Sequence, residues 1–215
     1  MTPPHTRDSS ETNRLLERAA SGDGSSWGAL LMRHESRLRR MVAFRLDPRL
    51  RGRVDTSDVI QDVHLEASKH LADYVKEPGI PLFFWLRGCA GHKLLEVHRH
   101  RLGTPMRGAR REIAPYRGGL PGANSAAIAA HLLGRATRAS GAAMRAEAKV
   151  RLQEALNDMD ALDREILALR HIEQLTNAEA ARVLGIKEAA AGKRHLRASE
   201  RLREILLQMP GGLEL

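Results

Sequence analysis

The chain has 215 residues, enough for one large domain or two small ones. Apolar residues make up 42% and aromatics only 3%; the apolar positions are chiefly Leu, Ala, Val and Ile, a mixture that favours helices over sheets. A formal net charge of +9 points to a polyanionic partner, nucleic acid first, and the single Cys89 excludes an intramolecular disulfide and a Cys-based zinc finger. The N-terminus lacks the apolar core of a signal peptide, and no apolar run approaches a membrane span, so the expectation is a cytoplasmic protein without membrane insertion.

Residues 1–12 are polar and are expected to be disordered. A helix follows over 14–20 and breaks at Ser21-Gly22-Asp23-Gly24, after which Ser25 or Ser26 can cap the next helix. There Trp27, Leu30, Leu31, His34, Leu38, Met41 and Val42 recur at helical spacing, until Pro48 ends the pattern. A third helix is expected over 56–74, with Val59, Val63, Ala67, Leu71 and Tyr74 as its buried stripe and Asp55 and Asp58 at its N-terminal end. Pro78-Gly79 and Pro81 break the chain before a fourth helix over 82–101, which carries Phe83, Leu86, Ala90, Leu94 and Val97 on one side.

Composition changes at Gly103. From Thr104 to about Gly141 the chain is rich in Gly, Ala, Arg and Pro, too long a stretch for an ordinary connection inside one domain. A short helix over 125–133 is compatible with it, and helical patterning resumes at Ala143. The expected architecture is all-α: a disordered 1–12, a four-helix domain over 13–103, a long flexible linker over 104–142 and a helix-turn-helix domain over 143–209.

The last of these carries the clearest chemistry. Thr176 and Glu179 form a capping box, Gly185 suits the left-handed end of the short helix it starts, and a basic helix begins near Lys187. This is the pattern of a helix-turn-helix, which lays its second helix in the DNA major groove. Ala180, Ala181, Val183, Leu184, Ile186, Leu196 and Leu202 are the expected interior. Thr176, Lys187, Glu188, Lys193, Arg194 and Arg197 are the expected DNA contacts. The Ala-rich start, Glu188 to Gly192, is poor in long polar side chains, which shifts weight from base readout to backbone contacts by Lys193, Arg194 and Arg197.

Three segments together resemble the sigma-70 family of bacterial sigma factors, in its small two-domain extracytoplasmic-function group. They are Asp55-Thr56-Ser57-Asp58-Val59-Ile60-Gln61-Asp62-Val63-His64-Leu65, then Phe83-Phe84-Trp85-Leu86 with the basic run ending at Arg101, then the helix-turn-helix. The likeness covers roughly 11–103 and 144–208. It implies a protein that binds core RNA polymerase, directs it to specific promoters and promotes DNA melting. Asp58, Gln61 and Asp62 would dock on the β′ clamp helices, and the second domain would work beside the β flap. Tyr74, Phe84, Arg87, His92, Lys93, His98, Arg99 and Arg101 would hold the minus-ten strand and offset unstacking. The helix-turn-helix would bind the minus-thirty-five element. Many members also pair with an anti-sigma factor. The Arg-rich linker (Arg107, Arg110, Arg111, Arg117, Arg135, Arg138) suggests nonspecific nucleic-acid affinity.

Two other classes compete. A stand-alone helix-turn-helix regulator would need a dimerisation surface and has no use for Asp58, Gln61 and Asp62. A metal-dependent hydrolase would have to draw on His92, His98 and His100, which do not share a helical face, and no phosphate loop accompanies them. No catalytic residue, metal ligand or cofactor is expected.

Overall fold

The computed structural model describes residues 4–50, 52–102, 122–135 and 142–208, and their regular elements are helices. They group into two units. The first is built from α1 (Pro4–Ala20), α2 (Gly24–Arg45) up to Ala43, α3 (Thr56–Lys76) and α4 (Leu82–Leu102). The second takes Phe44–Arg49 together with α5 (Ser125–Arg135), α6 (Ala142–Asn157), α7 (Ala161–Leu167), α8 (Asn177–Leu184) and α9 (Glu188–Leu207).

In the first unit, α2 contributes Leu30, Leu38, Met41 and Val42 to the core. It is capped by Asp23 rather than by Ser25 or Ser26 as the sequence suggested. The Asp23 carboxylate accepts from the backbone N–H groups and hydroxyls of both serines. The Ser25 hydroxyl, then that of Ser26, holds this carboxyl well below the usual carboxylate range. The third helix is as expected: Val59, Val63, Ala67, Leu71 and Tyr74 are buried. Its cap is Asp55, which accepts from the Ser57 N–H at 2.7 Å. Trp27 ties α2 to α3 by donating Nε1–H to Ser68 Oγ at 2.6 Å.

The N-terminal expectation is corrected. Residues 4–12 are not irregular but form the start of α1. At Glu11 and Thr12 the contacts are polar, which gives no apolar signal in the sequence: Arg33 donates to Thr12 Oγ1 at 3.0 Å and to Glu11 Oε2 at 2.8 Å.

The linker expectation is also narrowed. Part of 104–142 is α5, whose Ala127, Ile128, Ala129, Leu132 and Leu133 are buried within the second unit. Asn124 starts it by accepting from the Ala126 N–H at 2.8 Å. The rest of the expected linker, 104–121 and 136–141, lies outside the described residues, and so do the Arg107, Arg110, Arg111, Arg117 and Arg138 of the proposed basic strap.

Elsewhere in the second unit, Arg164 closes the end of α6 by donating to the carbonyls of Leu156, Asn157 and Met159. Glu173 is buried but ion-paired: Arg45 donates to it through Nε at 2.7 Å and reaches Glu165 as well. Burial opposes the Arg45 charge, and the two carboxylates outweigh that opposition, so its pKa is raised. The last turn of α7 widens into a π turn over Ala168–Ile172. Gln174 follows at φ 59°, a left-handed position for a non-glycine residue, and buried Leu175 pins it by donating its N–H to the Leu169 carbonyl at 2.9 Å.

Candidate nucleic-acid interface

The helix-turn-helix forms as the capping pattern dictates. Thr176 Oγ1 accepts from the Glu179 N–H at 3.1 Å, and Glu179 Oε2 accepts from the Thr176 N–H at 2.8 Å. Thr176 therefore caps α8 with its hydroxyl, so its site role is confined to placing the helix. Gly185 ends α8 at φ 67°, where a Cβ would be strained, and the chain turns directly into α9.

The buried face of α9 is Ala191, Ala198, Leu202 and Leu206. Leu196, expected in the interior, is instead 60% exposed. The stripe runs at steps of seven, four and four from Ala191, and Leu196 falls five residues along, on the outer side. The outer side thus carries Lys193, Leu196 and Arg197 at i, i+3 and i+4, all exposed, with Lys187 and Glu188 at the helix start. Arg194 is different. Its guanidinium is bound to Asp163 at 2.5 Å and Asp160 at 3.1 Å, the acids at the start of α7. It braces α9 against α7 and is spent on that contact, contrary to its expected place among the phosphate ligands.

The first unit sorts its candidates just as sharply. On α3, Asp58, Gln61 and Asp62 lie on the exposed face, and Leu65 continues that face at 58% exposure. The apolar pattern of α3 already placed Leu65 off the buried stripe, so the signal was present and unused. Asp62 is paired with Lys93 at 3.0 Å, and Lys93 also reaches Glu96 at 3.2 Å. The hydrogen bond that Lys93 donates to Asp62, the leading cause, pushes the Lys93 pKa up. Lys93 is therefore a link between α3 and α4, not an open phosphate contact.

Along α4, Phe84, Arg87 and His98 are buried, and Arg87 is only 1% exposed. None of the three is presented for a strand to touch, which corrects their assignment as DNA contacts. His92, Arg99 and Arg101 are exposed, as expected. Tyr74 is buried too; its hydroxyl donates to the Ile80 carbonyl at 2.8 Å, and desolvation pushes its pKa up to about 12. It fixes the loop between α3 and α4 and supports Trp85, whose ring stacks on it at 4.6 Å between centroids. Trp85 keeps part of its surface open, while Phe83 is buried beneath the Arg37 guanidinium, 3.7 Å from its ring centre. The aromatic run thus offers Trp85, not Phe84, as its half-open member.

Beside this loop lies a cleft of about 690 Å³ lined by Thr12, Leu16, His34, Tyr74, Pro81 and Phe83, among others. Residues 78–82 also line it, and its lining mixes aromatic, apolar and polar side chains, so it has the chemistry to accept a flat polar ring.

Residues 149–202, the α6–α9 segment just described, match the family model described as "Sigma-70, region 4". That segment is therefore similar to region 4 of the sigma-70 family. A solved structure titled "Structure of CnrH in complex with the cytosolic domain of CnrY" shares this fold, with a TM-score of 0.51 and 24% identity over 91% of this chain and 97% of that one. A second similar structure is the sigma factor RpoE with the anti-sigma factor NepR from Bartonella quintana, at a TM-score of 0.42 and 18% identity over 85% of this chain and 97% of that one. No curated protein sequence matches significantly. Among the described residues, no helix is long and apolar enough to cross a membrane.

Proposed function

We propose that the chain is a sigma factor of the extracytoplasmic-function group, which engages core RNA polymerase through the exposed face of α3, holds the opened minus-ten strand at the α3–α4 loop and the outer side of α4, and anchors on upstream DNA through the outer side of α9. The observation that carries this reading is the sorting of charge by exposure. Asp58, Gln61 and Leu65 form an outward acidic and apolar strip suited to a basic helical partner such as the β′ clamp helices. Trp85 and the cleft beside Tyr74 offer a stacking surface for an extruded base, and His92, Arg99 and Arg101 lie on α4 to follow the backbone. Lys193 and Arg197 supply phosphate contacts, and Leu196 between them suits a thymine methyl. The protein acts by binding, with no chemistry of its own. Promoter sequence would be read by both units, the β flap receiving the second.

The two similar structures were solved with CnrY and with NepR, and a regulatory partner of the same kind is proposed here for this chain, on surfaces that overlap those used for polymerase. A stand-alone regulator has no use for the α3 strip. Transcription from a promoter library by core polymerase, with and without the protein, tests the proposal. Discrete protein-dependent start sites are expected; their absence, with the folded protein failing to bind core, would overturn it.

A further inference from the structure

His171 and His195 meet across two elements of the second unit. His171 stands in the π turn after α7, and His195 stands on α9 among the residues that face DNA. Their Nε2 atoms are 3.1 Å apart, and their ring centres are 5.1 Å apart. A tetrahedral ion bound to two imidazole nitrogens at about 2.05 Å holds them about 3.3 Å from each other. The ring centres are also closer than a head-on contact of this length would give, so the rings approach at a bend, as two imidazoles on one ion do. We propose that His171 and His195 form a chelating pair for one divalent transition metal ion of the class that favours imidazole, Zn²⁺, Ni²⁺ or Cu²⁺.

The surroundings fit a two-ligand site open to solvent. His171 is exposed and His195 half-buried, so water can complete the coordination shell. Among the described residues no third His, Cys, Asp or Glu converges on the pair. That makes the site one of moderate affinity, loaded and unloaded by the free ion. Arg170, next to His171 in the π turn, places a positive charge beside His195. Arg170 itself is occupied, donating to the Leu175 carbonyl. The pair spans the π turn and the DNA-facing helix, so a bound ion would staple α9 to the element behind it. Binding that favours the folded state raises the unfolding midpoint as the ion is added.

The test uses the untagged full chain, titrated calorimetrically with Ni²⁺ and Zn²⁺ at about pH 7.5 and about pH 5.5, with thermal unfolding followed in parallel. One ion per chain is expected in the micromolar range, with a rise in the unfolding midpoint. His171→Ala and His195→Ala should each weaken binding by at least about tenfold, and binding should fall at the lower pH, where protons compete with the ion for its ligands. His70→Ala, an exposed histidine of the first unit paired with Glu66, should leave binding unchanged. Wild-type affinity in either His171 or His195 variant, or no saturable binding at all, would overturn the proposal and leave the pair as a neutral hydrogen bond. Both variants alter exposed or half-exposed rings, so circular dichroism separates loss of the site from loss of the fold.

Discussion

Helices α4 and α9 carry similar sequence signals and do opposite things with them. Both are rich in Arg, Lys and His, and both were assigned to DNA from the sequence. In α4, Phe84, Arg87 and His98 are buried and Lys93 is held by Asp62 and Glu96, leaving His92, Arg99 and Arg101 outside. In α9 the buried side is a narrow stripe of Ala191, Ala198, Leu202 and Leu206, and only Arg194 of its DNA candidates is tied down. A helix packed on several sides has to bury or pair its charges. A helix packed along one stripe can present them. Basic residue type alone therefore does not identify a nucleic-acid contact.

The largest expected effect separates the two helices directly. Arg87→Ala should lower stability by about 2–4 kcal/mol in a denaturant titration, because it empties a buried volume and strips a polar contact. If it instead weakened only DNA binding, the burial argument for α4 would break. Thr176→Ala should cost about 1 kcal/mol by removing the acceptor for the Glu179 N–H. Arg197→Ala should leave the unfolding midpoint unchanged, since the side chain is exposed, and reduce the slope of log affinity for DNA against log salt by about 0.9. Arg194→Ala should show the reverse pattern: a near-constant salt slope, with a stability loss of up to about 1 kcal/mol after allowance for solvent screening. An Arg194 slope change equal to that of Arg197 would erase the distinction drawn within α9. The smallest effect belongs to Gly192. A Cβ there would meet Asn177 Nδ2 at 3.6 Å, an ordinary contact, so Gly192→Ala should stabilise by up to about 0.8 kcal/mol.

Much of the fold was legible because its signals are local. The α3 stripe, the Asp55 cap, the capping box and the Gly185 turn depend on residues within one or two turns of each other, and each appears where the pattern placed it. The misses depend on partners distant in sequence. The start of α1 is fastened by Arg33; the short helix allowed over 125–133 forms as α5, and only its burial in the second unit was concealed by its Ala-rich, Arg-flanked composition. Leu196 was misplaced because a Leu in a basic helix reads as core until the phase of the stripe is fixed by Ala191 and Ala198. The candidate site was legible as a set of helices, and less so as a set of side chains. Residue type cannot say that Lys93 is paired with Asp62, or that Trp85 and Leu65 keep open surface.

The proposed polymerase-binding strip of α3 is the part of the account on which the rest depends. It can be tested by measuring core RNA polymerase affinity for the wild-type chain, for Asp58→Arg with Leu65→Asp, and for Arg197→Ala. Both altered α3 positions are exposed, so the double variant should fold. Binding should fall by at least about a hundredfold in the double variant, equivalent to about 2.7 kcal/mol, and stay at the wild-type value in Arg197→Ala. Wild-type core binding by a folded double variant would contradict the account.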